Sequence, residues 1–129
     1  MPDREHARLL LDIARRDLRT VEVMVAAVTV ADEVFGFHAQ QATEKALKAW
    51  LAFLEVDYPR IHDLDELLSL VQDHDPDAGG RFSGLTELTP FAVQFRYDLL
   101  DKGMGGIDRA AVAKDVSTLV EFVGGLLRT

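Results

Sequence analysis

The chain has 129 residues, of which 48% are hydrophobic and 28% are charged, and its net charge is −8. This composition is that of a globular protein, and the length suits a single domain over residues 1–129. The absence of cysteine excludes a disulfide scaffold, a thiolate nucleophile and a cysteine-based zinc site. No apolar run is long enough for a signal peptide or a membrane span, so we expect a cytoplasmic protein with no membrane partner.

The acidic net charge argues against tight, non-specific binding to nucleic acid, because proteins that bind polyanions display clustered lysine and arginine. Two local groups of basic residues remain. These are Arg4, Arg8, Arg15, Arg16 and Arg19 near the start, and then Lys45 and Lys48. Two or three such side chains are enough to hold a nucleotide or a short RNA.

Hydrophobic residues at steps of three and four predict a first helix from about residue 4 to residue 28. Its predicted buried stripe consists of Leu10, Ile13, Val21, Met24 and Val28. Asp17 falls within this stripe, at a position that an apolar residue would normally occupy. The valine-rich run over residues 21–30 also suits a strand, but the helical period on either side of it favours a helix.

A second helix is predicted from about residue 32 to residue 54. One face carries mostly alanine, so a neighbouring helix can approach closely. That face consists of Phe35, Ala39, Ala42, Ala46, Ala49 and Phe53. Gln41, Glu44, Lys45 and Lys48 fall on other sides, and we interpret them as a solvated face on which Glu44 and Lys48 form an ion pair one turn apart.

Capping residues mark three further helices. Asp63 begins a third helix, with Glu66 in position to complete a capping box. Thr89 and Pro90 suit the cap and the first position of a fourth helix, and Asp108 suits the cap of the last. Glycine and proline predict loops over residues 57–59, 75–80 and 103–106. The predicted fold class is therefore all-α, an antiparallel up-and-down bundle of four to five helices.

Three segments have the order and spacing found in one known family. The first is Ala-x-x-Asp-Leu at residues 14–18. The second is Gln-Gln-Ala-x-Glu-Lys-Ala-Leu-Lys-Ala at residues 40–49, followed by His-Asp-Leu at residues 62–64. The third is Leu-Thr-Pro-Phe-Ala-Val-Gln-Phe-Arg-Tyr-Asp at residues 88–98. Together they resemble the HEPN domain of prokaryotes, and the resemblance covers residues 3–127.

The resemblance implies a five-helix bundle that forms a homodimer and needs no cofactor. Such domains are often encoded beside a minimal nucleotidyltransferase and bind it, in pairs like those of toxin–antitoxin systems. Many members are metal-independent ribonucleases that use an arginine, four to six intervening residues and a histidine. Here no histidine follows Arg96 at residues 101, 102 or 103, so proton transfer lacks its usual agent. We therefore expect a non-catalytic module that binds a nucleotide or a nucleotidyltransferase.

Arg96 is the first candidate for ligand binding. Its guanidinium stays charged beside an apolar helix face, so it needs an anion. That anion is either Asp17 on the first helix or a bound phosphate, and the two interpretations are compatible if Asp17 orients Arg96. Further candidates for the same cleft share a polar or stacking group that a nucleotide would use. They are Tyr97, Gln41, Lys45, His62 and His38.

Two alternatives remain open. In the first, the chain is a ribonuclease in which His62 or His38, brought close in a dimer, replaces the missing histidine. In the second, it is a purely structural dimeric interaction module. We predict no metal site, because no Glu-x-x-His pair is present, and no glycine-rich loop for phosphates.

Overall fold

The computed structural model describes residues 3–92 and 106–128. The α-helices are α1 (Arg4–Met24), α2 (Asp32–Phe53), α3 (Leu64–Gln72), α4 (Pro76–Gly80) and α5 (Arg109–Leu127), and a 3₁₀ helix (Ser83–Ala92) lies between α4 and α5. No strand occurs within these two ranges. The predicted all-α fold is confirmed.

Contacts at the helix ends give the directions of the three long helices. Arg4, at the start of α1, lies over the ring of Phe53 at the end of α2, so these two helices run antiparallel. Arg109, at the start of α5, bonds to the carbonyl oxygen of Met24 at the end of α1. Arg4 in turn bonds to the carbonyl oxygen of Leu127 at the end of α5. Helix α5 therefore runs antiparallel to α1 and parallel to α2.

Helix α1 begins as predicted, and Asp3 caps it by accepting a hydrogen bond from the backbone N–H of His6. In its predicted buried stripe, Val21 and Met24 are confirmed, whereas the first half is shifted by one position. The buried residues are Ala7, Leu11, Ala14, Leu18, Val21 and Met24. Leu10 and Ile13 are only partly buried, and α1 ends at Met24, which leaves Val28 93% exposed.

Helix α2 is the centre of the bundle, because α1, α3, α5 and the 3₁₀ helix all pack against it. Five of the six residues of the alanine face are buried as predicted, and Phe53, at the end of the helix, is partly buried. The opposite side is buried as well, including Leu47, Trp50 and Leu51. Gly36 allows the ring of Phe91 in the 3₁₀ helix to approach the backbone of α2 so closely that a side chain at position 36 would overlap the ring.

The segment around Thr89 differs from the predicted fourth helix. Residues 89–92 belong to the 3₁₀ helix that begins at Ser83, and Pro90 lies inside it. Instead of capping its own helix, Thr89 accepts a hydrogen bond through Oγ1 from the backbone N–H of Leu64, the first residue of α3. Asp63 accepts from the N–H of Asp65, so two side chains satisfy the start of α3. The rest of the predicted fourth helix lies outside the described residues.

Helix α5 begins after Asp108, which caps it as predicted by accepting from the N–H of Ala111. It continues through Gly124 and Gly125 to Leu127. Phe122 on α5 packs against Trp50 of α2 with ring centroids 4.9 Å apart, and Phe82 completes this aromatic group. The contact fixes α5 against α2.

The Arg109 side chain joins three elements. It donates hydrogen bonds to the carbonyl oxygens of Met24, Ala27 and Val30, and it pairs with Asp32 at 2.9 Å. These carbonyl groups lie where α1 ends and the chain turns into α2. Those of Met24 and Ala27 also accept backbone N–H groups, from Ala27 and Val30, so Arg109 adds a further donor to each. No helix in the described part of the chain is both long and apolar enough to span a bilayer.

Candidate functional site around Glu44

A buried glutamate on α2 organises the main polar site of the described residues. Glu44 has no exposed surface, although the sequence suggested a solvated face for it. Its Oε1 accepts hydrogen bonds from Gln40 Nε2 at 2.9 Å and from His62 Nδ1 at 2.8 Å. Its Oε2 accepts from Lys48 Nζ at 3.0 Å and from Lys45 Nζ at 3.1 Å. The predicted ion pair with Lys48 is present, but in a buried setting.

The surroundings keep Glu44 ionised. Burial alone would raise its pKa, but the hydrogen bonds from Gln40, His62, Lys48 and Lys45 outweigh burial and lower the pKa from 4.5 to about 2. Glu44 is therefore a fixed negative charge at neutral pH. A buried charge of this kind is stable only because several donors surround it.

The ionised state of Glu44 decides that Nδ1 of the His62 ring, which faces it, carries a proton. A carboxylate can only accept hydrogen bonds, so Nδ1 of His62 carries the proton that it shares with Glu44. The side chain of His62 is 64% exposed. Glu44 therefore holds the ring through Nδ1, while the ring that carries the other nitrogen, Nε2, stays largely exposed to solvent.

The site includes three of the sequence-predicted candidates, Gln41, Lys45 and His62. Gln41 joins through Gln40, because its Nε2 donates to Gln40 Oε1 at 2.7 Å. Gln40 also donates to the carbonyl oxygen of His62, which ties α2 to the start of α3. We call this group, made up of Gln40, Gln41, Glu44, Lys45, Lys48 and His62, the Glu44 cluster.

Tyr58 borders the Glu44 cluster. Lys48 Nζ lies 5.8 Å from the centre of the Tyr58 ring, and the Tyr58 hydroxyl lies 3.4 Å from Nε2 of His6 on α1. Burial raises the pKa of Tyr58 above its usual value, and the negative charge of Glu44 raises it further. Tyr58 therefore stays protonated and can donate a hydrogen bond at the edge of the cluster.

Two other candidates, Asp17 and His38, form a separate pair. Asp17 Oδ1 and His38 Nδ1 lie 3.1 Å apart, between α1 and α2, and both side chains are partly buried. This contact explains why Asp17 interrupts the expected apolar stripe: it lies beside the stripe and faces a histidine on the next helix. Among the residues that the structure describes, none links this pair to the Glu44 cluster by a hydrogen bond.

The remaining candidates, Arg96 and Tyr97, lie outside the described residues. The expected Arg96–Asp17 pair and the cleft around Arg96 therefore stay predictions, and in the structure the described partner of Asp17 is His38.

A cavity of about 690 Å³ lies elsewhere, among α2, the 3₁₀ helix and α5. Its polar lining is mostly acidic and contains none of the candidate residues. The carboxylates that line it are Asp32, Glu33, Glu87, Asp108 and Asp115. Because like charges repel, this cavity does not suit a phosphate. Within residues 3–92 and 106–128, no cluster of three or more histidine and carboxylate side chains could hold a metal ion.

A family model of the HEPN domain matches residues 7–129. The chain belongs to the HEPN domain family. No match to this HEPN chain is found among curated proteins or among solved structures. The match begins within α1 and includes α2 to α5. Residues 40–49 and 62–64, which carry the resemblance in the sequence, supply every member of the Glu44 cluster.

Glu44, the central residue of the cluster, is not among the predicted site residues. Glu44 and Lys48 were assigned to a solvated face, and Gln40 was not considered as a site residue. One signal was present in the sequence: Gln40, Glu44 and Lys48 follow one another at steps of four, which places three polar residues in a row along α2. Such a row is ordinary on a surface helix, and it marks a buried site only when other elements cover part of that row.

Proposed function

We propose that this HEPN domain binds a nucleotide or a short RNA, and that the Glu44 cluster holds a phosphate group of that ligand. One observation carries the proposal: a fully buried, ionised Glu44 fixes two ammonium groups and one imidazole at the surface of α2. Groups that are held in place before the ligand arrives lose little freedom on binding, which favours affinity.

The charges in the Glu44 cluster leave an excess of positive charge. Lys45 and Lys48 together carry two positive charges, against one negative charge on Glu44. Each ammonium group has three N–H donors, and one from each lysine is used on Oε2 of Glu44. The Lys45 side chain remains 23% exposed, so its other donors can reach a phosphate oxygen.

The amide and imidazole members of the cluster suit the parts of a nucleotide other than its phosphate. Gln41 is partly exposed and carries an amide that can bond to a base edge. The exposed ring of His62 offers a flat surface and an Nε2 atom for hydrogen bonding. From the sequence we further propose that Arg96 and Tyr97 contribute a guanidinium and an aromatic ring to the same ligand.

The proposal is tested by the change in melting temperature on adding mononucleotides or a short RNA, since a ligand that prefers the folded state must raise it. We expect an increase in the native protein and a smaller increase in Lys45→Gln and in His62→Ala. Lys114→Gln, which alters an exposed lysine on α5, is the matched control and keeps the full increase. If no ligand raises the melting temperature, the protein is a structural interaction module and the proposal is wrong.

We also propose, from the family, that the domain forms a homodimer and binds a minimal nucleotidyltransferase in a toxin–antitoxin-like pair. Light scattering at several protein concentrations tests the homodimer, and a monomer at every concentration would contradict it. Co-purification with a nucleotidyltransferase encoded by a neighbouring gene tests the pair.

The ring of His62 supports a second candidate function, that of a metal-independent ribonuclease. Glu44 holds Nδ1 of His62 at 2.8 Å and leaves Nε2 in an exposed ring, which is the arrangement that general acid–base catalysis uses. Cleavage of single-stranded RNA by the native protein, lost in both His62→Ala and Arg96→Ala but kept in His38→Ala, would favour this function. Intact RNA after incubation with the native protein would exclude it.

A further inference from the structure

A second group of basic residues lines a groove between α1 and the last turns of α5. The groove has a volume of about 510 Å³. Its lining consists of Arg4, Arg8, Leu11, Asp12, Arg15, Gly124, Leu127 and Arg128, and we call it the arginine groove. Four of the 14 basic residues of the chain meet there with one of the 22 acidic residues. The groove is therefore a positive region on an otherwise acidic protein.

Two guanidinium groups converge above Gly124. A Cβ atom placed on Gly124 would lie 2.8 Å from Nη2 of Arg15 and 3.6 Å from Nη1 of Arg128. Any side chain at position 124 would thus displace the Arg15 guanidinium. Glycine in a helix interior costs about 1 kcal/mol relative to alanine, and Gly124 is followed by Gly125 within α5. Glycine at position 124 leaves room for both guanidinium groups as they stand.

The four arginines are poorly neutralised by the described part of the protein. Arg15 has one carboxylate within reach, Asp12 at 3.6 Å, and both side chains are well exposed, at 42% and 71%. Exposed pairs of this kind contribute little. Arg4 bonds to the carbonyl oxygen of Leu127, and no carboxylate among the described residues pairs with Arg8 or Arg128. Arg109, by contrast, is paired with Asp32 at 2.9 Å.

The end of α5 offers only partial compensation. The carbonyl groups at the carboxyl end of a helix amount to roughly half a negative charge. Half a charge and one exposed carboxylate do not balance four guanidinium groups. Like charges that converge without a counter-charge repel each other, so an external anion would stabilise the arrangement.

We propose that the arginine groove binds consecutive phosphate groups of an RNA strand. Guanidinium forks match phosphate oxygens in pairs, which makes arginine well suited to such contacts. Arg4, Arg8 and Arg15 extend over about 16 Å along α1 at 1.5 Å per residue, which is enough for several consecutive phosphates of one strand. Leu11 and Leu127 provide an apolar floor between the charges. The proposed function also allows a short RNA as ligand, but the arginine groove shares no residue with the Glu44 cluster, so variants of its arginines test this groove separately from that cluster.

Fluorescence anisotropy with a labelled oligouridylate of ten nucleotides, at several salt concentrations, tests the arginine groove. We expect Arg15→Gln and Arg128→Gln each to weaken binding about fivefold to tenfold at low salt. Each should also reduce the slope of log affinity against log salt by about 0.7, the value for one lost phosphate contact on a single strand. Arg16→Gln is the matched control, because Arg16 is the exposed neighbour of Arg15 and does not line the groove.

A second pair of variants tests the geometry without changing the charge. Gly124→Ala should weaken binding because the added methyl group displaces Arg15. Gly125→Ala should not, because a Cβ there meets only Nη2 of Arg128, at 3.8 Å. An equal loss in Arg16→Gln and Arg15→Gln, or no binding of the oligouridylate, would overturn the proposal.

Competition identifies the source of the phosphate. If only longer strands displace the labelled oligouridylate, the ligand is RNA as proposed. If ATP or inorganic phosphate displaces it at the same concentration of phosphate groups, the groove binds a free phosphate compound, and the assignment to an RNA strand is wrong.

Discussion

His62 and Glu44 lie 18 residues apart in the sequence, yet Nδ1 of one and Oε1 of the other are separated by 2.8 Å. The contact joins the loop before α3 to the middle of α2. It therefore serves two purposes: it satisfies a buried carboxylate, and it fixes the orientation of an exposed imidazole. The stability of the bundle and the geometry of the proposed site depend on the same oxygen atoms.

Glu44→Gln should destabilise the protein. The variant keeps the shape of the side chain but removes the charge that four donors surround. A pKa lowered from 4.5 to about 2 corresponds to about 3 kcal/mol of stabilisation at neutral pH. We expect urea unfolding at pH 7 to show a loss of about this size. Glu66→Gln, an exposed glutamate on α3, is the control, and equal losses in both variants would contradict the assigned role of Glu44.

Acid should destabilise the native protein in a defined pH range. The pKa of Glu44 in the folded state, about 2, is below its ordinary value of 4.5, so the unfolded chain binds the proton more readily. The stabilisation from Glu44 is thus complete above about pH 4.5 and is lost as the pH falls towards 2. Urea midpoints measured through this range should fall more steeply in the native protein than in Glu44→Gln. Parallel curves would show that Glu44 has an ordinary pKa.

Arg109→Lys should weaken the bundle without touching either proposed site. A lysine keeps the charge, but its single ammonium group cannot serve three carbonyl oxygens and the Asp32 carboxylate together. Loss of two or more charge-assisted hydrogen bonds should lower the free energy of unfolding by about 3 kcal/mol. Thermal or urea unfolding measures it. Arg60→Lys, in an exposed loop, provides the comparison and should behave like the native protein.

Gly36→Ala should destabilise the protein even though alanine favours helices. The added methyl group would overlap the Phe91 ring, and overpacking of this kind costs about 1–3 kcal/mol. Gly80→Ala, at the end of α4, adds the same group where no atom lies within 4 Å, so its stability should stay close to that of the native protein. A native-like melting temperature for Gly36→Ala would show that the 3₁₀ helix can move away from α2.

The sequence predicts the starts of α3 and α5 well, because each depends on a local capping residue. Asp63 and Asp108 cap α3 and α5 as expected, and the alanine face of α2 is buried. The first half of the α1 stripe differs in phase from the prediction because three consecutive leucines, at residues 9–11, allow two phases, whereas Val21 and Met24 are buried as predicted. The small residues Ala7 and Ala14, which decide between them, carry little hydrophobic signal.

The other differences between the predicted and the observed structure involve partners that are distant in the sequence. Beyond the end of α1 at Met24, Arg109 donates to the carbonyl groups of Ala27 and Val30, and no local pattern predicts that contact. Thr89 looked like a cap for its own helix, but it caps α3. The burial of Glu44 follows from the number of elements packed around α2, which the sequence of α2 alone does not contain. The sequence thus shows which polar residues are available for the site, but it does not show how they are arranged around Glu44.

The long-range contacts of Arg109 also affect the order in which parts of the chain fold during synthesis. The donor for the turn between the first two helices is made only after some eighty further residues, since Arg109 follows Val30 by 79 positions. Until Arg109 is made, the carbonyl groups of Met24 and Ala27 have only the backbone N–H groups of the turn itself as described donors. Arg109 adds its contacts when α5 arrives, so the turn between α1 and α2 and the start of α5 reach their final arrangement together.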